Sequence, residues 1–408
     1  MSTQALPRCA TLNRVRSSVA CLLLCVGPLC AGCGTSPSAS QARSVPLAPP
    51  PEDRVEPAQL PYVSSLPWPP TAAPMQQLVL GCAHGCALDG AGAVSCWGRN
   101  QFGELADGTT TDRATPAVVG GLPPIAELAA GCASTCARAA SGEVWCWGGG
   151  DLGEMGDGDR SGHRTHPVRV PGVAARALTS SGFAYCAVTD GAGHATCWGN
   201  VAHAAGAPFA SALDETRPFA ITVPFAAAPR LVASSVSRAC TLGREGEVLC
   251  WGAREVLNVS FAPIDPAAPV TGLDHARDLD GGAFLTCASD AQGVACWGVG
   301  TQAFGLGAEP PAVARIADMP AEGALAVGDD FVCAASRGET RCAGYGLLVD
   351  PAGHVHPLSA RGSRLAVLDG THGIVAGPGL VCALDASDHA RCAAWLSGHE
   401  GEPAPPPS

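Results

Sequence analysis

A short segment that begins and ends with cysteine recurs seven times along this chain of 408 residues. The first copy is CALDGAGAVSC, and the second cysteines of successive copies lie 46 to 53 residues apart. A period in this range is typical of stacked or ringed units that bury their apolar faces only against their neighbours. The repeat therefore predicts one large repetitive domain. The seven copies are bounded by Cys86 and Cys96, Cys136 and Cys146, Cys186 and Cys197, Cys240 and Cys250, Cys287 and Cys296, Cys333 and Cys342, and Cys382 and Cys392.

Each copy has the pattern of a β-hairpin. In the first, small and apolar residues alternate up to Cys86, the turn residues Asp89-Gly90-Ala91-Gly92 follow, and alternation resumes up to Cys96. Directly opposed residues of an antiparallel pair have Cα atoms roughly 4.5 to 5.5 Å apart, which a disulfide tolerates. A zinc site is the competing interpretation, but it needs clustered pairs such as CxxC. We therefore predict one disulfide in each hairpin.

Two further cysteines, Cys82 and Cys132, each lie four residues before a hairpin cysteine in consecutive repeats. Adjacent units would bring them near one another, so we predict that they pair. The alternative is two buried free thiols, because free cysteine behaves as a small apolar residue.

The first 33 residues have the features of an export signal. Arg8, Arg14 and Arg16 precede an apolar run, 19–31, that is too short to span a bilayer comfortably. The sequence Cys30-Ala31-Gly32-Cys33 resembles the lipobox of bacterial lipoproteins, although that family usually has Leu where Cys30 stands. We expect an exported chain lipidated at Cys33, with plain secretion or an inert leader cysteine as alternatives. Disulfides form and persist in such an oxidising compartment.

Composition divides the chain and limits its chemistry. Residues 34–74 are rich in Pro, Ser and Ala and predict an extended linker, 75–395 form the repeat domain, and 396–408 are a Pro-rich tail. All 24 basic residues are arginine, which excludes catalytic lysine and the P-loop lysine. With 36 acidic residues against these arginines, nucleic acid is not an expected partner.

Tryptophan and glycine follow the second cysteine in five copies. One tryptophan per repeat favours packing between units over ligand binding. In the first two repeats the segments NQFGELADGT, from Asn100, and GDLGEMGDGD, from Gly150, follow. Together with G-x-V-x-CWG and a later Pro-Val strand, this pattern resembles the RCC1 (regulator of chromosome condensation) repeat family. The five tryptophans are Trp97, Trp147, Trp198, Trp251 and Trp297.

The resemblance covers residues 78 to 395 and implies an all-β, seven-bladed β-propeller whose hairpins are stapled by disulfides. The sixth copy departs from the pattern after Cys342, and the seventh reads Cys392-Ala393-Ala394-Trp395. The last repeat also lacks its glycine-rich loop and Pro-Val strand, so another segment must complete its blade. Residues 60–63, within 58–64, align with 115–118 and are our candidate for a strand that closes the ring and covers its edge.

No catalytic or metal-binding motif stands out. No GxSxG, HExxH or P-loop pattern stands out, and neither does a GxGxxG segment placed between a strand and a helix. His354-Val355-His356 can place two imidazoles on one strand face, but no third ligand is identifiable, so a solvated loop is the favoured interpretation. His163 and His166 also lie in a loop-like segment and are interpreted in the same way. Turn and capping roles likewise account for Asp157-Gly158-Asp159 and Asp329-Asp330. We expect no enzyme activity, cofactor or metal.

Members of the RCC1 family act as nucleotide exchange factors on a small GTPase and bind chromatin, which are intracellular settings. Exported bacterial propellers of this type instead bind another protein through a ring face. We therefore expect a monomeric binding scaffold at the cell envelope, with an unknown protein or glycan as partner and contact with the membrane only through the N-terminal lipid. A carbohydrate-binding or carbohydrate-active propeller and a structural envelope protein are the alternatives. The candidate recognition loops are Val201–Pro218 and Arg254–Pro269.

Overall fold

The described part of the structure, a computed structural model, is built from antiparallel strands and one 3-10 helix at Ala366–Leu368. Predictions that fall on 1–73 and on 397–408, among them the export signal, Cys33, the linker and the strand at 58–64, lie outside the described residues and stay predictions. The structure describes residues 74–159, 162–180, 182–189, 194–199, 219–222, 231–235, 238–252, 268–282, 285–298 and 313–396.

Within these ranges the strands form seven antiparallel sheets, and six of them have four strands each. The first three sheets contain β1 (Gln77–Leu80), β2 (His84–Leu88), β3 (Val94–Gly98) and β4 (Arg113–Val118); β5 (Ile125–Ala130), β6 (Ser134–Ala139), β7 (Glu143–Gly148) and β8 (Arg164–Ala174); and β9 (Ala177–Ser180), β10 (Ala184–Val188), β11 (His194–Gly199) and β12 (Phe219–Thr222). The next two contain β13 (Leu231–Ser235), β14 (Arg238–Leu242), β15 (Val248–Gly252) and β16 (Ala268–Pro269); and β17 (Asp278–Gly281), β18 (Thr286–Asp290), β19 (Gly293–Trp297) and β20 (Ala314–Ile316).

The sixth repeat supplies two strands to the seventh sheet. The sixth contains β21 (Ala324–Val327), β22 (Phe331–Ser336), β23 (Glu339–Gly344) and β26 (Ser363–Arg364). Between β23 and β26 the chain leaves this sheet and forms a hairpin on the seventh, which has the order β25-β24-β29-β28-β27. The strand next to the final strand β29 is therefore supplied by the sixth repeat. These five strands are β24 (Leu347–Val349), β25 (Val355–Pro357), β27 (His372–Gly377), β28 (Leu380–Leu384) and β29 (Ala390–Leu396).

The sheets are arranged in a cycle. The first strand of each sheet contacts the first strands of its two neighbours, and β27 contacts β1 to complete the cycle. The N–H of Met75 also donates a hydrogen bond to the carbonyl oxygen of Asp388, at 2.8 Å. This arrangement is an all-β propeller, which confirms that part of the fold prediction.

Every cysteine-bounded segment forms the middle two strands of one sheet. In each hairpin the two cysteines are directly opposed, as Cys86 and Cys96 are in β2 and β3, and a disulfide joins them. The predicted hairpin disulfides are therefore confirmed, at Cα–Cα distances of 4.0 Å for Cys333 and Cys342 to 4.2 Å for Cys86 and Cys96. The others join Cys136 to Cys146, Cys186 to Cys197, Cys240 to Cys250, Cys287 to Cys296 and Cys382 to Cys392.

The hydrophobic core lies between neighbouring sheets. Trp147 of the second sheet is buried in one cluster with Cys86, Cys96 and Leu105 of the first repeat. Four of the five tryptophans that follow a hairpin cysteine are fully buried in such clusters, which is the packing arrangement expected from their spacing. The described side chains do not include that of Trp251. The four are Trp97, Trp147, Trp198 and Trp297.

The order of the strands separates two faces. The turns between first and second strands and the connections between third and fourth strands leave the sheets at one end, which we call the axial face. The hairpin turns between second and third strands and the links to the next sheet lie at the other end, the opposite face. Among the described residues, the axial-face connections 99–112 and 345–362 are longer than any hairpin turn or link of the opposite face.

Candidate functional site

A cavity of about 290 Å³ opens where the first strands end, at the centre of the axial face. Glycine and other small residues line most of it, because the turns of neighbouring sheets approach closely there. A Cβ atom at Gly131, for example, would lie 2.6 Å from the carbonyl oxygen of Gly182. Larger lining side chains are few, and the described lining contains a single carboxylate, Asp329. The remainder is formed mainly by Leu80, Val327, Pro378, Phe183, Cys82 and Cys132.

Large apolar side chains are exposed on the axial face. Phe183 is 42% exposed beside the cavity, and Tyr345, in the connection after β23, is 44% exposed. Leu152, in the connection after β7, is 39% exposed. In the described part of the chain, Val118 on the outer strand β4 is the one other large apolar residue with comparable exposure. Aromatic side chains are enriched among the residues that dominate binding energy at protein interfaces.

Indole N–H groups of tryptophans hold three of the axial-face connections to the next sheet. The indole N–H of Trp147 donates to the carbonyl oxygen of Glu104 at 2.8 Å, and that of Trp198 donates to the carbonyl oxygen of Glu154 at 3.0 Å. At the seventh sheet, Trp395 donates to the carbonyl oxygen of Tyr345 at 2.8 Å. These three tryptophans therefore join a connection to the following blade, a role that spacing alone did not predict.

The glutamates of these connections cap their own turns. The Glu104 carboxylate accepts a hydrogen bond from the N–H of Phe102 at 2.7 Å, and Glu154 accepts one from Leu152 at 2.8 Å. Gly103, between Phe102 and Glu104, has φ of +82°, and a Cβ atom there would meet the carbonyl oxygen of Arg164 at 2.8 Å. The repeated sequence F/L-G-E is thus explained by turn geometry.

Polar side chains of the first strands form hydrogen bonds to the backbone of the neighbouring blade, a role that no sequence motif indicated. The amide of Gln77 donates to the carbonyl oxygen of Leu128 at 3.0 Å and accepts from its N–H at 2.8 Å. In the fifth sheet, Asp278 accepts from the N–H of Leu325 and Asp280 from that of Val327, both at 2.8 Å. For Gln77 and Asp278, the available signal was a polar residue directly before the leucine of a first strand.

Burial changes the acidity of two groups close to the axis. His84 is fully buried with its Nε2 atom 2.8 Å from the Thr135 hydroxyl, and burial, together with the charge of Arg99, lowers its pKa to about 4. Burial raises the pKa of Asp280 to about 6; the hydrogen bond from Val327 opposes this rise and the charge of Asp278 adds to it. His84 is therefore neutral at physiological pH.

Cys82 and Cys132 form a disulfide, with Cα atoms 4.5 Å apart. It joins the axial turns of the first and second sheets, so it is the one disulfide in the described part of the chain that links two blades. The N–H of Cys82 also donates to the carbonyl oxygen of Cys132 at 3.1 Å, and the N–H of Cys132 donates to Gly182 at 2.6 Å. Hydrogen bonds between turns thus continue around the axis.

The polar residues singled out in the sequence have structural partners. His354 Nδ1 and His356 Nε2 both face Asp350 Oδ2, at 2.9 and 3.5 Å. Although burial alone would raise the pKa of Asp350, hydrogen bonds from His354 and His356 hold it below its usual value. Asp157 and Asp159 both pair with Arg164, at 2.8 and 2.9 Å.

The described residues form neither a metal-binding cluster nor a membrane-spanning helix. No group of three or more His, Cys, Asp or Glu side chains there is arranged to hold a metal ion. Likewise, none of the helices among these residues has the length and hydrophobicity to cross a membrane. Of the candidate recognition loops, 201–218 and 254–267 lie outside the described residues. The strand ends that they connect, those of β11 and β12 and of β15 and β16, lie on the axial face.

These sheets and their axial cavity define a β-propeller with one face rich in connections. Residues 91–138 match the family model described as the Regulator of chromosome condensation (RCC1) repeat, so the chain carries this repeat and the predicted resemblance is confirmed. The match begins in the turn before β3 and ends within β6. One sequence repeat therefore contributes strands to two neighbouring sheets.

The fold is similar to that of Prp20p from Saccharomyces cerevisiae, a protein described with its binding properties to Gsp1p and histones. The TM-score is 0.58 at 17% identity, over 79% of this chain and 83% of Prp20p. Yeast RCC1 (Prp20) bound to Kap60 gives the same TM-score and identity, over 88% of this chain and 86% of that one. At this identity the likeness shows the fold alone. No curated protein sequence matches this chain significantly.

Proposed function

We propose that this protein is an exported, non-enzymatic scaffold, a ring of seven blades that binds another protein through its axial face. One observation carries the proposal: the axial cavity, the exposed side chains of Phe183, Tyr345 and Leu152, and the long described connections 99–112 and 345–362 all lie at the same end of the sheets. Binding surfaces of rigid scaffolds are commonly built from such loops. The yeast relatives named above also bind proteins.

Two features support export. The N-terminal residues have the pattern of a signal sequence that ends at Cys33, and the described residues contain eight disulfides. Disulfides of this number are typical of proteins in oxidising compartments. We propose lipidation at Cys33, a linker over residues 34–74, and a monomeric head held at the cell envelope.

The test is affinity capture with matched surface variants. The oxidised, tagged protein would be incubated with solubilised envelope and secreted fractions of its own source, and bound proteins identified by mass spectrometry. The double variant Phe183→Ser/Tyr345→Ser alters the axial face, and Val118→Ser removes a side chain that is 70% exposed on β4, away from it. We expect one partner that wild type and the Val118 variant retain and the double variant loses by at least about tenfold.

Equal capture by all three proteins would place the binding surface elsewhere and contradict the proposal. Enrichment of glycan without protein would favour the carbohydrate-binding alternative. Turnover of an envelope polymer by the purified protein would overturn the non-enzymatic assignment.

A further inference from the structure

The disulfide between Cys82 and Cys132 differs from the seven hairpin disulfides in its access to solvent. All fourteen hairpin cysteines are buried, with exposures between 0% and 8%. Cys82 and Cys132 are only half-buried, and both line the axial cavity. A small molecule in the cavity can therefore approach Cys82 and Cys132, whereas the fourteen hairpin cysteines are buried in the core.

Access is one of the factors that decide which disulfide in a protein exchanges with an external thiol. The reaction needs a thiolate to approach a sulfur atom, and disulfides that are exposed are the labile ones. The hairpin disulfides are enclosed between sheets, as Cys86–Cys96 is in the cluster with Trp147. Their reduction requires the sheets to separate first, which links it to unfolding.

The contact between the first and second blades does not depend on the Cys82–Cys132 bond alone. Gln77 makes two hydrogen bonds to the backbone of Leu128, and buried His84 contacts Thr135. The side chains of the shared core, with Trp147 at its centre, lie on the same boundary. Opening this disulfide therefore leaves the blades packed and changes chiefly the wall of the axial cavity.

We propose that Cys82–Cys132 is a site of thiol–disulfide exchange on the axial face, opened by a dithiol reductant while the seven hairpin disulfides persist. One thiolate of the reductant attacks the sulfur of Cys82 or Cys132, which forms a mixed disulfide and releases the other cysteine as a thiolate. The second thiol of the reductant displaces the bound cysteine. The reductant leaves as a disulfide, and both cysteines end as thiols after taking up two protons.

The test is graded reduction of the full oxidised chain. Free leader cysteines are first blocked with iodoacetamide, dithiothreitol is added, and new thiols are trapped with N-ethylmaleimide and located by mass spectrometry. We expect Cys82 and Cys132 to be labelled at least ten times faster than Cys136 and Cys146, with no change in circular dichroism during the fast phase. Labelling of all pairs at one rate, or of Cys82 and Cys132 only as the dichroism is lost, would overturn the proposal.

Two variants locate the route of attack. The double variant Cys82→Ser/Cys132→Ser should lose the fast phase and keep the slow labelling of the hairpin cysteines. Pro378→Phe, in the turn between β27 and β28, places a large side chain at the cavity lining and should slow the fast phase several-fold without slowing the hairpin cysteines. If Pro378→Phe folds normally and the fast phase keeps its rate, the cavity is not the route and the proposal fails.

Discussion

The carboxyl group of Asp280 makes folding dependent on pH. Its pKa is raised to about 6 in the folded protein, mainly by burial, whereas an unfolded aspartate titrates near about 3.9. Between these values the folded state binds more protons than the unfolded state. The contribution of Asp280 to the free energy of unfolding is therefore greatest below about pH 4 and decreases as the pH rises through about 6.

Asp280→Asn should remove the loss of stability that accompanies ionisation of this carboxyl group, and it keeps an acceptor for the Val327 N–H. We expect the variant to be more stable than wild type at pH 7.5, by about 1 to 3 kcal/mol, with the difference shrinking toward pH 4. Urea unfolding at the two pH values measures this. Asp280→Ala is the matched control: it removes the same carboxyl group and also the acceptor for the Val327 N–H, so it should be less stable than Asp280→Asn at both pH values. An Asp280→Asn variant that is less stable than wild type at pH 7.5 would contradict the argument.

The roles of some individual residues can be predicted from the sequence, and those of others cannot. The hairpin cysteines are predictable because opposed positions follow from the repeat and the turn residues between them. Gln77 and Asp280 are not, because their hydrogen bonds reach the backbone of the next blade and depend on how two units pack. The exposure of Cys82 and Cys132 to a cavity is hidden for the same reason.

The connection 99–112 depends on one indole from the next blade. Trp147→Phe keeps the aromatic packing but leaves the buried carbonyl oxygen of Glu104 without its donor. We expect a loss of about 1 to 3 kcal/mol in the free energy of unfolding, the usual cost of an unsatisfied buried group. Trp145, on the same strand β7, has an indole N–H with no hydrogen-bond partner among the described residues, so Trp145→Phe should cost less. Chemical denaturation of both variants checks this, and equal losses would refute it.

At the scale of whole elements, the hairpin strands and their order could be predicted, and the seventh sheet could not. The repeat indicates which sequence segments form strands, and it shows that the last copy lacks a fourth strand. It does not show which segment fills the place. In the structure β24, from the sixth repeat, pairs with β29, and Leu348 lies opposite Trp395. The RCC1 pattern is weakest after Cys342, so no motif marked this segment as a strand.

The described sheets form a closed cycle, so the boundary between the last and first sheets should contribute as much stability as any other. Leu78 and Leu128 occupy equivalent positions in β1 and β5 and are both buried. Leu78 packs in a cluster with Leu380 and Leu384 of the seventh sheet, whereas Leu128 packs between the first and second. In an open array the terminal unit lacks one neighbour and is the weakest point.

We therefore expect Leu78→Ala and Leu128→Ala to lower the free energy of unfolding by similar amounts, each about 2 to 5 kcal/mol. Both should leave a single unfolding transition, because in a closed ring each blade is supported from two sides. Urea denaturation followed by circular dichroism, under oxidising conditions, measures both quantities. If Leu78→Ala costs less than half as much as Leu128→Ala, or if it produces a separate early transition, the ring opens at this boundary before the rest unfolds. Cooperative loss in both variants instead requires that contacts between β27 and β1 hold the first and last repeats together.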